Sequence, residues 1–356
     1  MLALVAAGVI VGIVEPGRFT YALGHAALYI FLPALLFEAA WNLNYRAIRR
    51  QWAAIATLAG LGVLVTAAIV TGALSVARVP FASALLTGAM LSATDPIAVI
   101  GIFRQFKVPL GLVTLIECEA LFNDAVAVVL YRAVLLALAV PLTARSVGVV
   151  TLLSVGSSLG GVALGIALAY VVARILRNRG NVSVQIAATI LCAYGSYLLA
   201  EYLHCSGIFA VVACGISLRY FERAWIELSI AADVERFWDV IALAANAIVF
   251  VLIGAALVST NFLRDPIFVI AGVIGVVIAR AAVSGLLLPA GLPREWLDVV
   301  GAAGQRGALC MVLALAVPPA IPYRDAIIAC TFATVLVTLA MSSVTVPAAI
   351  RRLRRA

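Results

Sequence analysis

The sequence predicts an all-α polytopic membrane protein of about twelve spans, two of them discontinuous. Three observations carry this. The 356 residues are 65% hydrophobic and only 11% charged, with mean hydropathy +1.18, whereas soluble domains average about 25% charged residues. Apolar runs of about 18 or more residues recur along the whole length, which one helical bundle accommodates. Lys and Arg gather in the short segments between those runs, preferentially on alternate sides.

The runs lie near residues 1–14, 22–41, 52–76, 81–103, 109–139, 146–173, 183–202, 204–220, 236–258, 266–288, 296–317 and 325–350. The first is short and begins at Met1. It lacks the basic segment and small-residue cleavage site of a signal peptide, so it reads as a trimmed or incomplete helix. Segments after even-numbered spans hold most of the loop Lys and Arg, in a ratio of roughly 16 to 5. That bias puts both ends of the chain, and so the C-terminus, in the cytoplasm. The same placement accounts for the net charge of +8 and excludes nucleic acid as a partner. The six cysteines contain no CxxC and read as small packing residues, and His25 and His204 stand alone, so no zinc motif is present.

Two spans are interrupted. The fourth contains Ser92-Ala93-Thr94-Asp95-Pro96, where Pro96 lacks a donor and disfavours helix at Asp95. The eleventh contains Gly301 to Gly307, three glycines around Gln305 and Arg306. Matched broken helices point to an inverted-repeat transporter with its site near the midplane. Spans 3–5 then correspond to spans 10–12, with span 6 as linker, and one N-terminal helix is missing from the expected symmetry.

Carboxylates inside these spans carry the chemistry, because a charge at bilayer depth costs roughly 2.5–3.5 kcal/mol. Asp124 lies near the middle of span 5, about 22 Å into it. Glu117 shares its helical face, about 20° away on the wheel, while Glu119 and Asn123 lie on another. A buried carboxylate that must shed or keep its proton lets H⁺ and a cation compete for the same oxygens, so Asp124 is the expected carrier. Its alternative is a hydrogen-bond acceptor between helices. Asp95 and Thr94 stand at the break of span 4, either as ion ligands or, for Asp95, as the cap of a half-helix. Hard alkali cations take oxygen ligands, which places Na⁺ at Asp124, Asp95 and Thr94. Glu117 either draws cations into an inner funnel or sits near solvent. Glu38, close to Trp41 at the end of span 2, is read either as a surface acid or as part of the ion pathway. Asp239 and Asp298 read as helix N-terminal acids. The buried Arg280 and Arg306 need partners; pairing Glu119 with Arg280 would tie span 5 to span 10, and Arg306 would balance the crossing of the broken helices. Arg132, two turns beyond Asp124, is expected to snorkel outward.

These residues resemble the monovalent cation:proton antiporter family, which includes bacterial NhaP-type and animal NHE-type exchangers. The motifs are Ala93-Thr94-Asp95-Pro96-Ile97-Ala98-Val99, Glu117 to Asp124, Gly304-Gln305-Arg306-Gly307 and the segment Pro33 to Trp41. The resemblance implies an NhaA-like fold in a single transporter domain, 1–356. Scaffold or dimerisation helices would occupy about 1–41 and 183–258, core helices about 52–139 and 266–350, and a linker helix about 146–173. It also implies a homodimer in the cell (inner) membrane, elevator-like motion, no cofactor and a role in pH homeostasis. Asp124 would be the carrier, with Asp95, Thr94 and the Glu38 position contributing to the site or its approach. Asn123 would mark electroneutral exchange, and Glu119 would bridge Arg280. The chain departs from the pattern at Ala120 for a serine, Cys118 for a glycine and Gln305 for a leucine; the lost hydroxyl bears on ion selectivity. A regulatory tail after Arg355 is not expected.

The expected activity is therefore exchange of a monovalent cation, foremost Na⁺, for H⁺. A sodium-coupled organic-solute symporter of the same fold, a K⁺/H⁺ antiporter and a channel are the alternatives. No HExxH and no Ser/His pair supports an enzyme.

Overall fold

The structure, a computed structural model, describes residues 2–14, 20–43, 45–139, 143–177, 181–222, 228–258, 265–288 and 292–354. Of the basic residues weighed for sidedness, Arg18, Arg179, Arg223, Arg264 and Arg355 lie outside these. The described residues are helical, with no strand among them. In chain order the helices are α1 (Leu2–Val14), α2 (Thr20–Asn42), α3 (Tyr45–Ala56), α4 (Val63–Val76), α5 (Phe81–Met90), α6 (Ile97–Phe106), α7 (Leu110–Leu138) and α8 (Ala144–Leu176). There follow α9 (Val182–Tyr202), α10 (Gly207–Glu222), α11 (Leu228–Val258), α12 (Pro266–Gly285), α13 (Arg294–Ala302), α14 (Ala308–Leu315) and α15 (Arg324–Leu353). A π-helical segment, Thr57–Gly62, joins α3 to α4. Six helical runs among the described residues are long and apolar enough to cross a membrane.

Local chemistry explains many of the ends. Prolines precede or open α5, α6, α12 and α13, where the missing N–H costs nothing and the fixed φ suits a helix start. Thr143 and Ser146 form a reciprocal capping box at the start of α8. The Asn181 side chain accepts from Ser183 N and Val184 N to begin α9.

The third run, expected from 52, starts just after a kink of α3 at Gln51 (φ −116°, ψ 16°), with the polar helical segment Tyr45 to Arg50 before it. Two expectations are corrected. Helix α11 begins at Leu228 rather than about 236, so Asp239 lies well inside it, and Asp298 falls in the second turn of α13, behind Glu295 in the first. In each case hydropathy found the apolar part of a helix whose polar end continues beyond it.

The chain divides into two compact units. The first comprises residues 1–25, 46–138 and 249–356. Here α4 packs on α5 and α12, α12 and α13 pack on α15, and α5 and the π segment pack on α7. Gly8 of α1 abuts the backbone of Val251 and Gly254 in the last turns of α11. The second unit comprises residues 26–45 and 139–248, where α8, α9 and α10 pack on one another. Phe37 stacks on Trp41 and meets Trp238, whose Nε1 donates to Thr189 Oγ1 at 3.0 Å. Gly161 and Gly165 of α8 lie against the backbone at Ser206 and Ala210. Small residues let helix backbones approach this closely, and in lipid that packing replaces the hydrophobic drive.

Leucine at Gly165 should therefore collide with α10 and lower thermal stability in detergent by about 1–3 kcal/mol. Alanine at Gly148, where an added methyl group would meet nothing within 4 Å, should raise it by about 0.5–1 kcal/mol through helix propensity; tryptophan fluorescence melts read both.

Candidate functional site

The two interruptions meet inside the first unit. Helix α5 ends at Met90 and α6 begins at Ile97; α13 ends at Ala302 and α14 begins at Ala308. Between them the Asp95 backbone N–H donates to the Gln305 carbonyl at 3.0 Å. Breaking a helix frees carbonyls that must be satisfied locally in an apolar setting. Side chains satisfy them here. Ser92 Oγ donates to Ala89 O at 2.6 Å, Cys310 Sγ to Ala93 O at 3.5 Å, and Ser342 Oγ to Ala302 O at 3.4 Å. Arg280 Nε donates to Val300 O at 3.0 Å, and Arg306 Nη1 to Gly304 O at 3.4 Å.

The freed N–H groups meet a carboxylate. Asp95 Oδ1 accepts from Ile97 N at 2.9 Å, at the start of α6. The Ala308 N–H, at the start of α14, also faces Asp95. One carboxyl group thus serves the positive ends of both half-helices. Gly307 permits this, because a Cβ there would strike the Asp95 carboxyl.

Helix α7 brings its polar side chains to the crossing. Asp124 is partly exposed, yet its Oδ1 is enclosed and accepts no hydrogen bond. The Thr94 backbone N–H faces its carboxyl, and Asp95 and Arg306 lie within electrostatic reach. No salt bridge to Asp124 occurs among the described residues. Asn123 is buried and donates from Nδ2 to Thr94 Oγ1 at 3.3 Å, while its own Oδ1 is enclosed without a donor. Asp95, Thr94, Asn123 and Asp124 are thus brought together. Of the other two acids on α7, Glu117 is partly exposed and Glu119 is buried.

Glu119 makes a bidentate ion pair with Arg280 of α12; one arm, Nη2 to Oε2, measures 3.3 Å. Because Arg280 also binds Val300 O, it links α7, α12 and α13. Gly304 lies flat against the Arg280 side chain, where a Cβ would not fit. Arg306 is 2% exposed, its backbone N donates to Thr338 Oγ1 at 3.0 Å, and Glu119 and Asp124 lie within its electrostatic reach. Glu38 belongs to the second unit. There Asn42 Nδ2 donates to Glu38 Oε1 at 2.8 Å and to Asp239 Oδ1 at 3.3 Å.

Three participants escape sequence reasoning. Cys310 carries no signal beyond packing, and Thr338 and Ser342 belong to no motif. Gly307 has a signal, a glycine just before a half-helix, but its close neighbour is decided by the fold. Thr338 and Ser342 lie four apart on α15, a spacing that puts both on one face.

Removing one partner of the buried pair strands the other. Glu119→Gln should cost about 3–5 kcal/mol of stability, whereas the apolar double replacement Glu119→Leu with Arg280→Met should recover most of it. Denaturant unfolding in detergent distinguishes the two.

Comparison with known proteins identifies the family. The model of a family described as "Sodium/hydrogen exchanger, transmembrane" matches residues 1–352. The Na⁺/H⁺ antiporter ApNhaP of Aphanothece halophytica is 34% identical over 343 residues, covering 92% of this chain and 64% of its own length. The low-affinity Na⁺/H⁺ antiporter NhaS1 of Synechocystis is 34% identical over 331 residues, covering 89% and 62%. The chain thus spans a little under two thirds of each of these relatives. In fold it is similar to the sodium proton antiporter MjNhaP1 of Methanocaldococcus jannaschii, with a TM-score of 0.81 at 20% identity over 98% of this chain and 91% of that one. By a match that runs over nearly its whole length, the chain belongs to the sodium/hydrogen exchanger transmembrane family.

Proposed function

We propose that this multi-pass membrane protein is a secondary antiporter that exchanges Na⁺ for H⁺, with Asp124 as the carrier. One observation carries the reading. Of the two acids on α7 nearest the crossing, Glu119 is neutralised by Arg280, while Asp124 has an enclosed oxygen and no salt bridge among the described residues. A bare carboxylate at that depth is costly, so Asp124 is stable when it holds a proton or a cation. Both use the same oxygens, so the two cannot be held at once. Carrying one inward therefore requires releasing the other.

Thr94, Asn123 and Asp95 complete the polar surroundings of Na⁺ in this reading. Asp95 contributes mainly by holding negative charge beside Asp124 and fixing both half-helices. Arg306 limits how much negative charge accumulates there, in keeping with one cation per cycle and with electroneutral exchange. Glu117 and Glu38 serve the approach to the site. The relatives named as Na⁺/H⁺ antiporters favour Na⁺ over K⁺ and exchange over solute symport, and membership of a transporter family sets the enzyme reading aside.

The wider architecture follows the same reading. Twelve spans in an NhaA-like inverted repeat fit the paired interruptions. The helices of about 52–139 and 266–350 form the moving core, those of about 1–41 and 183–258 the scaffold and dimer contact, and 146–173 the linker. The loop charge bias supports a cytoplasmic C-terminus in the cell (inner) membrane, and a pH-homeostatic role follows from the exchanged ions.

In proteoliposomes, Asp124→Asn should abolish Na⁺-driven proton movement while the parent shows it without net current; retained exchange in the variant would remove the carrier assignment. Competition for one carboxyl has a further consequence with a definite sign. Each tenfold rise in proton concentration should raise the apparent KM for Na⁺ by up to about tenfold at unchanged maximal rate, read from initial rates at several pH values.

A further inference from the structure

We propose that Gln305 is a specificity-determining residue of the cation site, its carboxamide oxygen joining the Asp124 carboxyl as a ligand of the transported ion. The inference rests on the exchange reading above. It comes from the oxygen inventory of the crossing. The carbonyls freed by the two breaks at Ala89, Ala93, Val300, Ala302 and Gly304 already accept from fixed side-chain donors. The Gln305 carbonyl accepts from Asp95 N. Three side-chain oxygens have no such donor. Asp124 Oδ1, Asn123 Oδ1 and Gln305 Oε1 are each enclosed and accept no hydrogen bond.

Gln305 is the unexpected member. Its side chain is 2% exposed, where a polar group is retained only if something engages it. Its backbone is pinned at the crossing by the bond to Asp95, and the next residue, Arg306, lies within electrostatic reach of Asp124. The chemistry suits an alkali cation. A carboxamide supplies an uncharged oxygen, so it adds coordination without adding a charge that would hold a second ion. The number and field strength of such oxygens set the preference among alkali ions. Ala120, buried on α7 close to Asn123 in sequence, has no oxygen in its side chain to offer.

The test uses the full chain in proteoliposomes, with proton efflux driven by Na⁺ or by Li⁺. Gln305→Met keeps the length and removes the oxygen. It should raise the apparent KM for Na⁺ by about tenfold or more, the loss expected for one bond to a charged group. The maximal rate should stay within about threefold, and the Na⁺-to-Li⁺ ratio of KM values should change. Gln305→Asn, which restores a shorter carboxamide, should fall between parent and Met variant. A Met variant with both KM values and their ratio at parental levels overturns the proposal. So does one that loses rate at unchanged KM, which marks a structural role. Should the Met variant not fold, Gln305→Asn decides on the same criteria: unchanged KM and ratio overturn the proposal, and a raised KM with an altered ratio supports it. Failure of the parent to move protons in response to Na⁺ would instead sink the exchange reading itself.

Discussion

A helix interrupted among apolar side chains must find partners for the backbone groups it releases, and that requirement organises the polar interior of this protein. Two helices are interrupted, and they solve the problem jointly. From one break to the other, the Asp95 backbone N–H donates to the Gln305 carbonyl. The carbonyl ends are closed by serine, cysteine and arginine side chains, and the amide ends converge on the Asp95 carboxylate. A change to any one of these groups leaves a buried backbone atom unmatched, at about 1–3 kcal/mol each.

Charge is distributed within the first unit by the same economy. Glu119 and Arg280 neutralise each other and, through Val300 O, fasten α7 and α12 to the end of α13. Arg306 occupies the crossing with few partners of its own; its Nε is enclosed without an acceptor. It faces Asp124 and Glu119 across electrostatic rather than hydrogen-bonding range. The Glu119–Arg280 ion pair and the Asp124 carboxyl are therefore separated by five residues of α7, from Glu119 to Asp124, between one and two helical turns. The fold is similar to that of MjNhaP1 at 20% identity. Apolar helix surfaces can exchange one hydrophobic residue for another, whereas groups that satisfy a broken helix cannot be swapped freely.

Much of this was legible in the chain itself. Ser92 to Pro96 and Gly301 to Gly307 announce their breaks, because a proline and a glycine cluster inside apolar runs have few other uses. The Glu119–Arg280 pair was legible because isolated charges in lipid are so costly that surplus carboxylates and arginines must find one another. Other parts were hidden. The early start of α11 escaped because Asp233, Glu235 and Arg236 interrupt the apolar run, and hydropathy reports lipid contact rather than helix length. The bond from Asn42 to Asp239 joins residues 197 apart on two helices, and nothing local in either segment signals it.

By itself the sequence determined the class, the helices and the inventory of buried charge, since each depends on composition and spacing along one chain. It also determined where helices break, a local property of proline and glycine. The tertiary structure decided which break faces which, that Asp95 serves two helix ends at once, and that Asn123, Asp124 and Gln305 each keep an enclosed side-chain oxygen without a donor. Those outcomes depend on which donors arrive from α12, α14 and α15, and packing between distant segments, rather than the residues of any one of them, sets that arrival.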